Sequence, residues 1–265
     1  MQTGAIMRRK IGTSSGFSPT LAFAGVAGVA LLSFGVPAHS QSFGDLLGSA
    51  KKVAQAATIS DEQIVSYFSQ MSDELDRQNT IPPAKNPYAV RLAKLTTGLV
   101  SYDGLKLDIK AYLASDVNAF AMGDGTVRVY SGLMDKFTDD EVRCVIGHEI
   151  GHVKLEHGKK RMKLALQKDA ALSVAGTASG GVRKLASSEL GGLIGNVLNA
   201  QHSQAAETAA DDYALTFMAA KNYPQPACAT AMDKLAALGG GGGIGLLKTH
   251  PDPAQRAKRM RAKIK

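Results

Sequence analysis

The sequence has no tryptophan, few other aromatic residues and only two cysteines. Aromatic residues make up 6% of the 265 residues, whereas glycine alone contributes 28. Because interiors are close-packed and large side chains are scarce here, we expect a core of small residues and close helix contacts. The length fits one domain, or one domain and a tail.

Beyond the first 40 residues, the sequence also lacks any stretch long and apolar enough to span a bilayer. Its basic residues are not interleaved with aromatics and form no nucleic-acid-binding motif, so we interpret the basic end, residues 256–265, as a solvated helix face. We therefore expect no integral span in the mature chain and no nucleic-acid partner.

The first 40 residues have the pattern of a secretory signal peptide. A basic region at residues 8–10 precedes a short apolar run from Leu21 to Val36, and small residues follow. We expect cleavage after Ala38 or Ser40, with an uncleaved membrane anchor as the alternative. The site lacks a nearby cysteine, so a lipid-anchored terminus is not supported.

These features predict an exported protein with three parts. Residues 1–40 are the signal peptide, residues 41–60 a lead segment and residues 61–265 the folded domain. The predicted location is the periplasm of a Gram-negative bacterium, with membrane association as an open alternative.

The most informative pattern is HExxH, formed by His148, Glu149 and His152. On an α-helix, residues four apart share a face, so the two imidazoles can bind a single Zn²⁺ and the glutamate can take a proton from a zinc-bound water. Thr138 and Glu141 match a capping box, and we expect one helix over residues 138–162.

The third zinc ligand must come from elsewhere in the chain. Gly158 occupies the position where one metallopeptidase class has a third histidine. His157 lies about 140° from His152 around an ideal helix, so we expect it to face away. Glu207 and Asp211 share a helix face in an alanine-rich run; Glu207 is the candidate ligand, and Asp211 is expected to hold a ligand histidine.

Cys144 and Cys228 are open to two interpretations. In an exported protein an even count favours a disulfide, which would join the zinc helix to the C-terminal half. Two buried thiols are the alternative, and the sequence does not decide between them.

The remaining pattern predicts helices around a small sheet. We expect a strand over residues 105–113 and a hairpin of residues 118–122 and 126–130 around a glycine turn. The other predictions are helices at 61–78, 86–100, 197–221, 227–238 and 252–264, with loose helical material at 164–199.

Four segments together resemble peptidase family M48, which includes the HtpX-like and CAAX-prenyl-protease-like zinc metallopeptidases, and the likeness is greatest to its small periplasmic members of the LoiP and BepA type. The segments are residues 118–133, His148 to His152, Glu207 to Asp211, and His250-Pro251 with Arg256. The resemblance implies a mainly helical α+β gluzincin domain, in which a small, mostly antiparallel sheet packs on the HExxH helix.

The resemblance also implies the chemistry. One Zn²⁺ on His148, His152 and Glu207 would activate a water, with Glu149 as general base. His250 would aid catalysis or plug the open metal position, since a run of glycines before it allows movement.

Other residues receive weaker roles. Asn118 would help the transition state or merely end a strand. Arg256 is expected to form a structural ion pair, with Asp211 as one partner. The strand containing Gly125, Val127 and Val129 is expected to pair with an extended substrate.

Unfolded or misassembled envelope proteins are the substrates that this resemblance implies, with the outer-membrane assembly machinery as a further candidate partner. A chaperone-like holdase and a latent zinc-stabilised scaffold are the alternatives.

Overall fold

The computed structural model describes residues 59–168, 184–239 and 244–264. The expected signal peptide, nearly all of the lead segment and the glycines at 240–243 lie outside these residues, as does part of the loose segment, at 169–183. None of the helices within the described ranges has the length and apolar character needed to cross a membrane.

The described chain is mainly helical, with two small sheets, which confirms the predicted α+β class. The elements are α1 Asp61–Gln78, α2 Pro87–Leu95, β1 Ser101–Tyr102, β2 Leu105–Lys106, β3 Asp108–Tyr112, β4 Ala119–Ala121, β5 Thr126–Tyr130, α3 Ser131–Lys136, α4 Asp139–Lys154, α5 His157–Lys168, α6 Ser187–Leu198, α7 Gln204–Ala220, α8 Pro226–Gly239, α9 Gly245–Thr249 and α10 Pro253–Lys263.

Local capping explains where the main helices begin. Ser60 and Gln63 form a capping box at the start of α1. Thr138 and Glu141 form the predicted one at the start of α4. Helix α2 ends earlier than expected, before Gly98, whose φ of 75° is a left-handed conformation that glycine adopts at little cost.

The sheets differ from the expectation of one mostly antiparallel sheet. Strands β1 and β2 form a separate antiparallel pair, and the expected single strand over 105–113 is divided at Leu107, whose N–H donates to Val100 O at 2.9 Å. In the second sheet, β5 lies between β3 and β4. It pairs parallel with β3 and antiparallel with β4, so this sheet is mixed.

The expected helix over residues 138–162 is two helices. Helix α4 ends at Lys154, and α5 begins at His157. Between them Glu156 adopts a left-handed conformation with φ 58°. This turn changes the chain direction one helical turn after His152.

Helices α4 and α7 cross closely because glycines line the contact. A Cβ on Gly147 would lie 2.6 Å from Cδ1 of Phe217, and one on Gly151 would lie 3.2 Å from Cα of Ala210. On α4, Cys144 is bonded to Cys228 of α8, with 5.2 Å between the Cα atoms. The disulfide is therefore the interpretation that the structure supports.

Candidate metal centre

Helix α4 places its three motif residues in the interior. His148, Glu149 and His152 are 3%, 2% and 4% exposed, and Nε2 of His148 lies 3.0 Å from Nε2 of His152. Buried polar groups require partners, so two imidazoles that face each other at this depth indicate a common ligand.

Helix α7 brings Glu207 to the same point. Its Oε1 lies 3.3 Å from His152 Nε2, and its Oε2 lies 3.6 Å from His148 Nε2. Glu207 is 3% exposed. Burial raises the pKa of its carboxyl, but the facing His250 and His148 imidazoles outweigh burial and hold the pKa below its usual range.

His250, which follows α9, is the fourth member of this group. Its Nδ1 lies 3.3 Å from His148 Nε2 and 2.9 Å from Glu207 Oε1, while its Nε2 lies 3.5 Å from Oε1 of Glu149. Ligand atoms of His148, His152, Glu207 and His250 all lie within 4.8 Å of one another.

This donor set fits zinc. In tetrahedral coordination with Zn–N and Zn–O bonds of about 2 Å, neighbouring ligand atoms are roughly 3.3 Å apart. The separations above, 2.9 to 3.6 Å, bracket that value. Imidazole nitrogens and a carboxylate oxygen are also the ligand types that zinc takes in proteins. Burial lowers the pKa of His152 well below its usual value, so its ring stays neutral, the form that binds metal.

Behind His148 lies an ion pair. Asp211 Oδ1 is 3.0 Å from His148 Nδ1, and Arg256 donates from Nη2 to the same oxygen at 2.6 Å. Arg256 Nη1 also lies 2.6 Å from Glu207 Oε2. Burial raises the pKa of Asp211, but His148 and Arg256 outweigh it and hold the pKa at about 2. The expected partners Asp211 and Arg256 are thus brought together.

Two further histidines lie beside His152: His157, which was expected to face away, and His202, which the sequence did not suggest. His157 places Nδ1 2.9 Å from Nδ1 of His152, because the break at Glu156 invalidates the assumption of a continuous helix. The ring of His202 lies 3.8 Å from that of His152, centroid to centroid. His202 precedes the α7 N-cap Ser203, and no motif in the sequence marks it.

Asn118 lies at the start of β4. Its Oδ1 accepts from the N–H of Ala119 at 3.0 Å, and its backbone O accepts from the N–H of Tyr130. Its side chain also lies against Gly245, where an added Cβ would be 2.8 Å from Nδ2. Asn118 is thus held next to β4 and against the start of α9.

The prediction that the strand with Gly125, Val127 and Val129 pairs with an extended substrate is wrong. Strand β5 is central, so its backbone pairs with β3 on one side and β4 on the other. The side chains of Val127 and Val129 are fully buried. An extended substrate therefore has no free edge of β5 to join.

The chain is similar to known metallopeptidases. The model of peptidase family M48 matches residues 91–264. Metalloprotease LoiP of Escherichia coli is 41% identical over 220 residues, covering 83% of this chain and 87% of the relative. Metalloprotease YcaL of the same organism is 34% identical over 219 residues, covering 82% and 86%. Protease HtpX of Stutzerimonas stutzeri is 31% identical over 134 residues, covering 48% and 45%. With the HExxH helix and a donor set that fits zinc, these matches show that the chain belongs to peptidase family M48 and is a zinc-dependent metalloendopeptidase.

Proposed function

We propose that this chain hydrolyses peptide bonds in unfolded or misassembled proteins of the cell envelope. The observation that carries the proposal is the buried convergence of His148, His152 and Glu207 beside the carboxylate of Glu149. In this proposal residues 1–40 direct export to the periplasm, residues 41–60 are a lead segment and residues 61–265 form the peptidase domain. The substrate class rests on the family likeness.

His148, His152 and Glu207 would hold one zinc ion. An ion held there would lower the pKa of a bound water to roughly 7 and would stabilise negative charge on a carbonyl oxygen. The ion pair of Asp211 with Arg256 orients His148 through its Nδ1.

Glu149 is the proposed general base. Its Oε1 is buried and has no hydrogen-bond partner in the described structure, so it is available to accept a proton. It would take the proton from the attacking water and pass it to the amine of the departing peptide. The carboxylate lies one residue beyond His148, on the buried side of α4.

The outer edge of β4 is the proposed place for the substrate backbone. Asn118 O accepts from Tyr130 N–H, and Met122 N–H donates to Thr126 O, so these residues face β5. By the alternation of an antiparallel ladder, Ala121 between them directs its N–H and C=O away from β5. Because β4 also packs on α4, a peptide added there would pass over the motif.

A casein digestion assay tests this function. We expect the purified exported protein to degrade casein. A zinc chelator should abolish this activity, and added zinc should restore it. Glu149→Gln should retain zinc and lose turnover. Proteolysis that persists in that variant would refute the role of Glu149. Suppression of casein aggregation without cleavage would instead favour the holdase.

A latent form is the second candidate, favoured by the position of His250. The cavity that His250 and Leu246 share with Glu149 is only about 10 Å³, the space of roughly one water. His250 lies at the C-cap of α9, and Leu246 N–H of that helix donates to Val117 O just before β4. His250→Ala should raise casein hydrolysis if His250 blocks the site and lower it if His250 takes part in catalysis.

A further inference from the structure

Two imidazoles outside the proposed ligand set hold the ring of His152. His157, the first residue of α5, meets it edge-on, with 2.9 Å between the two Nδ1 atoms. His202 covers its face, with 33° between the ring planes. Neither residue belongs to the group of four side chains that fits zinc.

The geometry of His152 decides which way its hydrogen bond to His157 runs. Nε2 of His152 faces His148 and Glu207 at 3.0 and 3.3 Å, so this nitrogen is directed at the proposed metal position. A neutral imidazole that binds through Nε2 carries its proton on Nδ1. His152 Nδ1 must therefore donate, and His157 Nδ1 must accept.

We propose that His157 is a positioning residue for zinc binding, which fixes the tautomer and the ring orientation of His152. This inference rests on the proposed role of His152 as a ligand. Metal-binding histidines usually donate their second N–H to a carboxylate, a carbonyl or a water. His148 follows that pattern through Asp211 at 3.0 Å, whereas His152 uses a neutral imidazole.

Arg161 of α5 completes the arrangement. Its Nη2 donates to Nε2 of His202 at 2.7 Å, and a second guanidinium nitrogen donates to Ala200 O. His202 is thereby held against the ring of His152. Its backbone N–H also donates to Thr249 O, the residue before His250.

His152, His157 and His202 have ligand atoms within 4.8 Å of one another, which raises the alternative of a second metal ion. Arg161 argues against this alternative. Nε2 of His202 already accepts from the guanidinium, and a metal ion bound by the three rings would lie close to that positive charge. Hydrogen bonding accounts for the arrangement without a second ion.

Two substitutions of His157 that differ in hydrogen-bonding capacity test the proposal. His157→Asn keeps an acceptor near the position of Nδ1, whereas His157→Leu has a similar volume and no acceptor. Zinc affinity is measured by competition with a chromophoric chelator, with Lys163→Ala as the control, because Lys163 is a half-exposed residue of the same helix. We expect His157→Leu to weaken zinc binding about 10- to 100-fold, and His157→Asn to stay within about threefold of the wild type. The visible spectrum of the Co²⁺-substituted protein should change only in His157→Leu.

Three results would speak against these assignments. If His157→Leu binds zinc as tightly as Lys163→Ala does, the positioning role is wrong. Two zinc ions per wild-type chain, reduced to one in His157→Leu, would replace it with a second metal site. His152→Ala is measured in parallel. If that variant binds zinc like the wild type, the proposed ligand set fails, which is a different outcome from failure of the His157 role alone.

Discussion

Arg256 and Asp211 form an ion pair in the interior, with 2.6 Å between Nη2 and Oδ1, directly behind His148. Asp211 is fully buried, and Arg256 is 6% exposed. Burying two charges at this depth carries a large desolvation cost. Removing one member of the pair leaves part of its partner's buried charge without compensation. The pair therefore makes α10 part of the support of the metal centre, although α10 supplies none of the proposed ligands.

Arg256→Met should destabilise the zinc-free protein by about 3 kcal/mol, because buried Glu207 would lose its guanidinium partner and Asp211 would keep only Arg259. Denaturant unfolding in the presence of a chelator measures this loss. Arg261→Met, on the same helix, is the control. Its side chain is 52% exposed and pairs with Asp233 at the surface, so its loss should be much smaller than that of Arg256. Equal losses would contradict the prediction.

Gly147→Ala should destabilise the fold by about 1–3 kcal/mol and weaken zinc binding. The added methyl would meet Phe217 at 2.6 Å and push α4 away from α7, which carries Glu207. Gly191→Ala on α6 is the matched control, because nothing lies within 4 Å of its added Cβ. That variant should gain up to about 1 kcal/mol from helix propensity. Unfolding curves and zinc titrations distinguish the two, and an unchanged zinc affinity in Gly147→Ala would contradict the proposed link.

Asp76 should make the fold more stable at neutral pH than in acid. Burial raises the pKa of its carboxyl, but hydrogen bonds from Arg128, Tyr112 and Lys110 outweigh burial and lower the pKa from 3.8 to about 2. A depressed folded-state pKa gives stability that is fully present above the unfolded value and is lost as the pH falls from about 4 towards 2. Asp76→Asn should therefore differ most from the wild type at pH 7, and the difference should shrink through this window.

Unfolding free energies between pH 2 and pH 7 check the Asp76 prediction. Asp73→Asn is the control, because Asp73 is an exposed carboxylate on the same helix. A stability difference for Asp76→Asn that is independent of pH would mean that the carboxylate contributes by shape alone.

The disulfide should contribute about 3–5 kcal/mol, since it closes a loop across a sequence separation of 84 residues. A double variant, Cys144→Ala with Cys228→Ala, should lose stability by this amount in denaturant unfolding. Wild-type protein unfolded in a strong reductant should show the same loss, and the double variant should not respond to reductant. A wild-type curve that is insensitive to reductant under denaturing conditions would show that the bond is absent.

Local sequence signals predicted much of this fold. The capping box at Thr138, the glycine turn between β4 and β5, and the face shared by Glu207 and Asp211 all act over a few residues. Such signals depend on hydrogen bonds and periodicity that the sequence displays directly.

The predictions that failed concern pairing between distant segments or the backbone conformation of single residues. The order of strands around β5 depends on pairing between distant segments, which alternation along one strand does not reveal. Leu155 and Glu156 are good helix formers, so nothing in their chemistry announces the left-handed turn. His202 has a place beside His152 only because α7 packs on α4.

The left-handed residue Glu156 also sets a condition for moving this centre into another protein. His157 meets His152 across a fixed interval of five residues, in which the helix stops and restarts in a new direction. Transplanting only the five residues of the motif onto a long straight helix would omit His157, and a histidine added five residues further along that helix would lie about 140° away from His152. A graft that keeps the support of His152 would have to carry the chain from Thr138 through the first turn of α5, and could tolerate neither insertion nor deletion between the two histidines.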